Sequence, residues 1–141
     1  MAWRAAQSLV RLREQINQIA PRRSIASDGT IGDENHRSRN SDHNPWVRDG
    51  AIGIVTAIDI THDPDGGCNA EQIVQTLVDS RDPRIKYLIW NRRIISSQVR
   101  PWVWRDYTGQ NPHTKHFHLS VKPEKASYDS TTPWQVRAIP R

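Results

Sequence analysis

The chain has 141 residues, the usual size of a single domain, and we predict one domain over residues 1–141. Hydrophobic residues make up 35% of it, and a lone cysteine, Cys68, excludes an intramolecular disulfide and a cysteine-based zinc cluster. The net charge of +5 predicts attraction to polyanions. We expect neither a signal peptide nor a membrane span, because no apolar run is long enough.

The first predicted element is an amphipathic helix from about residue 5 to residue 19, ended by Pro21. Its apolar residues recur at near-helical spacing: Leu9, Val10, Leu12, Ile16 and Ile19. Residues 24–49 then lack periodicity, and a loop of that length in a small domain is usually functional. This loop is rich in possible ligands and anion-binding side chains: His36, Arg37, Arg39, Asp42 and His43.

The middle of the chain alternates predicted strands with one helix. Residues 53–60 read as a strand that carries a carboxylate, Asp59, near its end. Such a carboxylate binds a metal, pairs with a charge, or caps the following turn. A helix is predicted over 70–78 with Asn69 as its N-cap and Gln72 completing a capping box.

The next predicted element is a hairpin, in which residues 87–90 pair with 93–95 across the two-residue turn Asn91-Arg92. Residues 122–141 are polar and contain Pro, so we predict a surface tail anchored by Trp134. Together these elements predict an α+β fold: a small antiparallel sheet with flanking helices and long loops.

Three histidines lie within six residues, at His113, His116 and His118. Apolar residues alternate with them at Phe117, Leu119 and Val121, which is the period of a half-buried strand. His116, His118 and Ser120 therefore share one face of that strand. Imidazole is the commonest metal ligand and the usual general base near neutral pH, so we expect this face to line a cleft.

A catalytic zinc site takes three protein ligands and leaves a fourth position open. The candidates are His43 from the loop, Asp59 from its strand and His118, if the two strands are neighbours in one sheet. His116 is placed to give or take a proton. An arginine of the polar loop could hold a substrate carboxylate or stabilise an oxyanion.

Three short motifs resemble the zinc D-alanyl-D-alanine carboxypeptidase and L-alanyl-D-glutamate endopeptidase family, which includes phage endolysins. They are Ser41-Asp42-His43, Ala57-Ile58-Asp59 and His116-Phe117-His118. The histidine segment is also similar to the His-x-x-His-x-His of penicillin-insensitive murein endopeptidases. The resemblance covers residues 27–121, about two thirds of the chain, and implies their shared zinc peptidase fold, which is also that of hedgehog-type domains.

Residue by residue, the resemblance implies that His43, Asp59 and His118 bind Zn²⁺. It implies catalytic work for His116, His113 and Arg39. Arg37 is the reserve for Arg39 and, with Ser41, is assigned to substrate binding.

The chain departs from the family pattern at two points. His43 and Asp59 are sixteen residues apart where the family has seven, so residues 44–53 form an insertion and Asp49 is a rival ligand. We prefer Asp59, since its strand keeps Ala-x-Asp and the apolar flanks. The carboxypeptidases of the family have an acidic catalytic residue three positions before the last zinc ligand, and here that position is Lys115. The proton transfer would then be carried out by His116 or by a carboxylate from elsewhere: Asp33, Glu34 or Asp63. In an alternative alignment with the family motif, His116 is the zinc ligand and His113 occupies the position of the catalytic acid.

The function implied is a zinc metallopeptidase that cleaves peptidoglycan peptides during cell lysis. We expect a monomer, made in the host cytoplasm, that reaches the cell wall through a holin and binds no nucleic acid. One alternative is a non-catalytic metal-binding or basic nucleic-acid-binding module of the same fold, and another is a phosphoesterase built on His-x-His.

Overall fold

The computed structural model describes residues 2–30, 41–109 and 111–137, and these ranges form an α+β fold. They contain two sheets, and none of their helices is long and apolar enough to cross a membrane. The helices are α1 (Gln7–Ile19), α2 (Ala70–Ser80) and α3 (Lys125–Tyr128). The strands are β1 (Trp3–Ala5), β2 (Val47–Asp49), β3 (Ile52–Val55), β4 (Ala57–Thr61), β5 (Ile85–Trp90), β6 (Arg93–Ser96), β7 (Arg105–Asp106) and β8 (His116–Val121).

The larger sheet has five strands in the order β4-β8-β5-β6-β7, and every neighbouring pair is antiparallel. The predicted histidine strand is β8, and it lies between β4 and β5. Its alternation is confirmed, because Phe117, Leu119 and Val121 are buried in the hydrophobic core. The opposite face carries His116, His118 and Ser120, and the last two are also buried. β8 is therefore covered on both faces.

The predicted single strand over residues 53–60 is wrong, because the segment divides between the two sheets. β3 lies at the centre of a three-stranded sheet, β1-β3-β2, and β4 lies at the edge of the larger sheet. Thr56 separates them: its N–H donates to the Asp42 carbonyl at 3.3 Å, and its carbonyl accepts from Val121 N–H at 2.8 Å. The chain therefore changes partners at Thr56.

The insertion between His43 and Asp59 forms a β-hairpin. β2 pairs antiparallel with β3, with Asp49 opposite Ile52, so Gly50 and Ala51 form a two-residue loop. Gly50 has φ +62°, the positive value that such tight hairpin turns need at their first loop residue. The hairpin lengthens the chain between the two ligand candidates without separating them in space.

Helix α1 begins at Gln7, two residues later than predicted, because residues 3–5 pair parallel with β3. Its apolar stripe is confirmed: Leu9, Leu12 and Ile16 are fully buried. Helix α2 runs to Ser80, and the Asn69 side chain accepts from Gln72 N–H, as its predicted N-cap role requires.

The predicted hairpin is also confirmed. Trp90 pairs with Arg93, and the loop residues Asn91 and Arg92 have φ of 51° and 66°. Two consecutive positive φ values define a type I′ turn, whose twist matches that of the flanking strands.

The C-terminal segment, described to residue 137, lies at the surface and is held to the core by two buried residues. Tyr128 and Trp134 are buried in the core. Trp134 Nε1 donates to the Ser8 carbonyl at 2.8 Å, and the Arg84 guanidinium stacks 3.8 Å from its ring centroid. The anchoring role predicted for Trp134 is confirmed.

Candidate metal centre

Neighbouring strands bring Asp59 and His118 together. The two residues are paired directly across β4 and β8, and Asp59 Oδ1 lies 3.2 Å from His118 Nδ1. The loop before β2 places His43 on the same spot, with its Nε2 3.1 Å from His118 Nδ1 and 3.2 Å from Asp59 Oδ1. The three expected ligand atoms thus form a nearly equilateral triangle.

The size of this triangle fits one face of a metal tetrahedron. Zinc bonds to nitrogen and oxygen of about 2.0–2.1 Å imply ligand atoms about 3.3–3.4 Å apart. The observed edges of 3.1–3.2 Å are close to that spacing. His43 and His118 are buried, at 6% and 4% exposure. His43, Asp59 and His118 can therefore hold a metal ion, with donor types that suit zinc.

Each histidine of the triangle is oriented through its second ring nitrogen. His43 Nδ1 lies 2.8 Å from the Thr30 carbonyl, and His118 Nε2 lies 2.8 Å from Ser120 Oγ. Metal-binding histidines are normally fixed in this way, because a partner for the far N–H sets the tautomer and the ring angle. Ser41 contacts the backbone of His43: its hydroxyl accepts from the backbone N–H of His43 at 3.2 Å.

The electrostatics favour the metal-binding protonation state at Asp59 and His118 but not at His43. Burial would lower the pKa of His43, but its hydrogen bond with the Asp59 carboxylate outweighs burial and raises that pKa. Burial would raise the pKa of Asp59, but hydrogen bonds with His118 and His43 outweigh it and hold that pKa below its usual range. Burial lowers the pKa of His118 despite the Asp59 carboxylate. The centre therefore presents an ionised carboxylate beside a neutral imidazole, the forms in which these side chains bind metals.

The two other histidines of the segment lie beside the triangle. His116 Nε2 is 3.5 Å from Asp59 Oδ2, the oxygen that faces away from His43 and His118 in these contacts. His113 packs edge-on against His116, with ring centroids 5.0 Å apart. Burial, reinforced by His118, lowers the pKa of His113 to about 4, so its imidazole is neutral at physiological pH.

Neither Asp49, the rival ligand, nor Asp63, a candidate for proton transfer, belongs to a metal-capable group of the described residues. Asp49 lies on β2 and pairs with Lys125 at 2.7 Å and with Arg4 at 3.6 Å. The Asp63 carboxylate accepts from Ser24 N–H at 2.7 Å. Lys115 is exposed, and its carbonyl accepts from His62 N–H. The metal-capable group therefore contains Asp59 and not Asp49.

Four candidates from the polar loop lie outside the described residues. They are Arg37, Arg39, Asp33 and Glu34. Their predicted roles in substrate binding, oxyanion stabilisation or proton transfer remain predictions.

A network behind the triangle was not foreseen. Tyr87 stacks on His118 with centroids 5.2 Å apart and an angle of 8° between the rings. Burial raises the pKa of Tyr87 to about 12, in spite of its hydrogen bond with Ser120. Ser120 also bonds the Asp42 carboxylate, which Lys86 neutralises at 3.0 Å. In the sequence, the only indication of this network was the period-2 pattern, which places Ser120 on the histidine face of the strand.

Trp46 extends this network to the surface. Its indole N–H donates to Asp42 Oδ1 at 2.9 Å, while 49% of the residue stays exposed. A half-exposed aromatic ring held by Asp42 therefore lies three residues along the chain from His43.

No protein-family model, curated protein or solved structure matches the chain. What the protein does is therefore inferred from its own side chains and from the short motifs that resemble the zinc peptidases.

Proposed function

We propose that the protein is a zinc-dependent peptidase that hydrolyses stem peptides or peptide cross-links of bacterial peptidoglycan. The observation that carries this proposal is the triangle of His43 Nε2, Asp59 Oδ1 and His118 Nδ1, with edges of 3.1–3.2 Å. The substrate class is supported by the three motifs that resemble phage lysis peptidases. The net charge of +5 suits an anionic wall polymer.

Bound zinc would supply a Lewis acid that polarises the scissile carbonyl and makes water a nucleophile at neutral pH. The protein itself contributes the three ligands, and hydrogen bonds hold the two histidines among them in position. Thr30 fixes His43, and Ser120 fixes His118, before any substrate arrives. Little rearrangement is then needed at the moment of reaction.

His116 is the group placed to move the proton. It shares a strand face with His118, and its Nε2 is buried 3.5 Å from Asp59 Oδ2. In the proposed reaction it accepts the proton of the attacking water and returns it to the leaving amine. His113 supports the ring of His116 edge-on, so it acts as a positioning residue. Arg39 is proposed to stabilise the oxyanion, and Arg37 and Ser41 to bind the substrate.

The proposal extends to where the protein acts. As a phage-type lysin it would be made in the host cytoplasm as a monomer, and it would reach peptidoglycan after holin-type release.

The deciding experiment combines metal analysis with a cleavage assay. Purified protein should contain about one zinc per chain and should release new amino groups from purified peptidoglycan. Chelation should abolish the release, and zinc should restore it. A metal-loaded, folded protein that releases no amines from walls of several chemotypes would favour the non-catalytic module.

A further inference from the structure

The Asp59 carboxylate has two oxygens, and the triangle uses one of them. Oδ1 faces His43 and His118, while Oδ2 lies 3.5 Å from His116 Nε2. Asp59, His113 and His116 each offer one ligand atom, and these three atoms all lie within 4.8 Å of one another. A second group of metal-ligand side chains thus adjoins the first through a shared carboxylate.

Two observations show that this second group is suited to a cation. His116 Nε2 is buried and has no hydrogen-bond partner in the described part of the chain, which is costly for a polar nitrogen unless a ligand completes it. His113 Nδ1 is held by the Asn111 carbonyl at 2.7 Å, which leaves its Nε2 as the nitrogen for a ligand. At His43 and His118, too, the ring nitrogen that does not face the metal position is held by a hydrogen bond.

We propose that Asp59 Oδ2, His113 and His116 form a second, weaker divalent-cation site, and that zinc bound there inhibits the enzyme. Asp59 would bridge the two cations, as carboxylates do in two-metal hydrolases, where the metals are about 3.5–4 Å apart. A cation on His116 removes the lone pair that the proton transfer needs. The inhibition rests on the proposed function, whereas the second site does not.

The second site is the weaker one because it shares its carboxylate with the first. One of its edges, from Asp59 Oδ2 to His116 Nε2, is 3.5 Å long, close to the spacing of about 3.3–3.4 Å in a tetrahedral set. One carboxylate would also have to serve two dications, which repel each other. Changing the surroundings of a metal ligand typically costs about 10- to 100-fold in metal affinity, and we expect sharing Asp59 to weaken the second site at least as much.

Calorimetric titration of the metal-free full chain with ZnCl₂ tests the site directly. Wild-type protein should bind two zinc ions in two resolved steps, the second at least roughly 10- to 100-fold weaker. His113→Ala should keep the tight step and lose the weak one. His62→Ala is the matched control, since His62 lies outside both groups and should leave both steps unchanged. Peptidoglycan cleavage by the wild type should fall as the weak step fills.

The outcomes separate the two proposals. A single zinc step in wild-type protein up to millimolar metal would overturn the second site and leave the peptidase proposal standing. Two steps that persist in His113→Ala would also overturn it, as the second cation would then lie elsewhere. Absence of any zinc binding would overturn both proposals. If His113→Ala does not fold, anomalous diffraction from zinc-soaked wild-type crystals decides, because the second peak must lie between Asp59 and His116.

Discussion

Asp59 and His118 face each other across the antiparallel pair β4 and β8, with Asp59 Oδ1 3.2 Å from His118 Nδ1. Strand register sets this contact, and the ladder hydrogen bonds of both strands hold it. Gly29 fixes Asp59 from the other edge of β4 through two backbone hydrogen bonds, of 2.8 and 3.1 Å. A ligand pair built on paired strands is more rigid than one built on loops, so its geometry persists without the metal.

The first prediction concerns which carboxylate is the ligand. Asp59→Asn should lower zinc affinity by more than about 100-fold and abolish peptidoglycan cleavage, because the amide removes the anionic ligand at the apex of the triangle. Zinc content after dialysis and a competition titration with a chelator measure this.

Asp49→Asn is the matched control. Asp49 lies on the β2–β3 hairpin and pairs with Lys125 of α3. Removing the Asp49 charge should therefore leave zinc affinity and cleavage near wild type. If Asp49→Asn lost zinc while Asp59→Asn kept it, the assignment of the ligands would be wrong.

The second prediction separates proton transfer from metal binding on β8. His116→Ala should keep the tightly bound zinc and the fold but lose about 10²- to 10⁴-fold in kcat, the usual contribution of a positioned acid–base group. Lys115→Ala serves as control, since Lys115 is exposed at the family's acidic position and should change the rate little. Near-wild-type cleavage by zinc-loaded His116→Ala would assign the proton transfer to a carboxylate instead.

Much of the site could be predicted from local sequence pattern. The alternation in residues 116–121 predicted the strand and its histidine face, and the resemblance of Ala-x-Asp to the zinc peptidase motif favoured Asp59 over Asp49. Both features depend on residues near each other in the chain. The hairpin turn at Asn91-Arg92 was predicted for the same reason.

What could not be predicted depends on contacts between distant segments. Lys86 and Asp42 are 44 residues apart, and only the register of β5 against β8 brings them behind His118. The continuous apolar pattern of residues 53–60 gave no sign that Thr56 changes sheets. Likewise, the polar composition after Val121 concealed that Tyr128 is buried in the core.

The third prediction tests the network behind the triangle. Ser120→Ala should weaken zinc binding by about 10- to 100-fold while keeping the fold, because His118 Nε2 loses the hydroxyl that orients it. Chelator competition measures the affinity. Ser130→Ala should have no effect, since its hydroxyl donates to Thr132 Oγ1 in the C-terminal segment and not to His118. Unchanged zinc affinity in Ser120→Ala would show that stacking on Tyr87 alone orients His118.

The fourth prediction concerns the C-terminal segment. Trp134→Ala should lower the free energy of unfolding by about 3–5 kcal/mol, since it empties a buried site and removes the Arg84 contact. Urea unfolding followed by far-UV circular dichroism measures the change. Trp3→Ala is the control: Trp3 is 42% exposed and should cost much less. Equal, small losses in both variants would contradict the packed role of this segment.

The fifth prediction is a pH dependence of stability that arises at Asp28. Its carboxylate accepts from Arg23 Nη1 and Nη2 at 2.8 and 2.6 Å and from Thr61 N–H at 2.9 Å, and so ties the segment before Gly29 to β4. Burial would raise the pKa of Asp28, but the Arg23 and Thr61 hydrogen bonds outweigh it and lower that pKa below 3.8. The folded state thus holds the proton less tightly than the unfolded state.

A lowered carboxyl pKa contributes stability that is present above the unfolded value of about 3.9 and is lost as the pH falls through the folded value. Asp28→Asn should therefore destabilise the protein by about 1.5–3 kcal/mol at pH 7, the usual range for a hydrogen bond to a charged group. The difference from wild type should shrink as the pH falls below about 4, where the wild-type carboxylate also becomes protonated. Urea unfolding across this range measures both proteins, with exposed Asp65→Asn as the control. A difference that stays constant down to the acid limit of folding would mean that the shape of Asp28, and not its charge, holds the segment to β4.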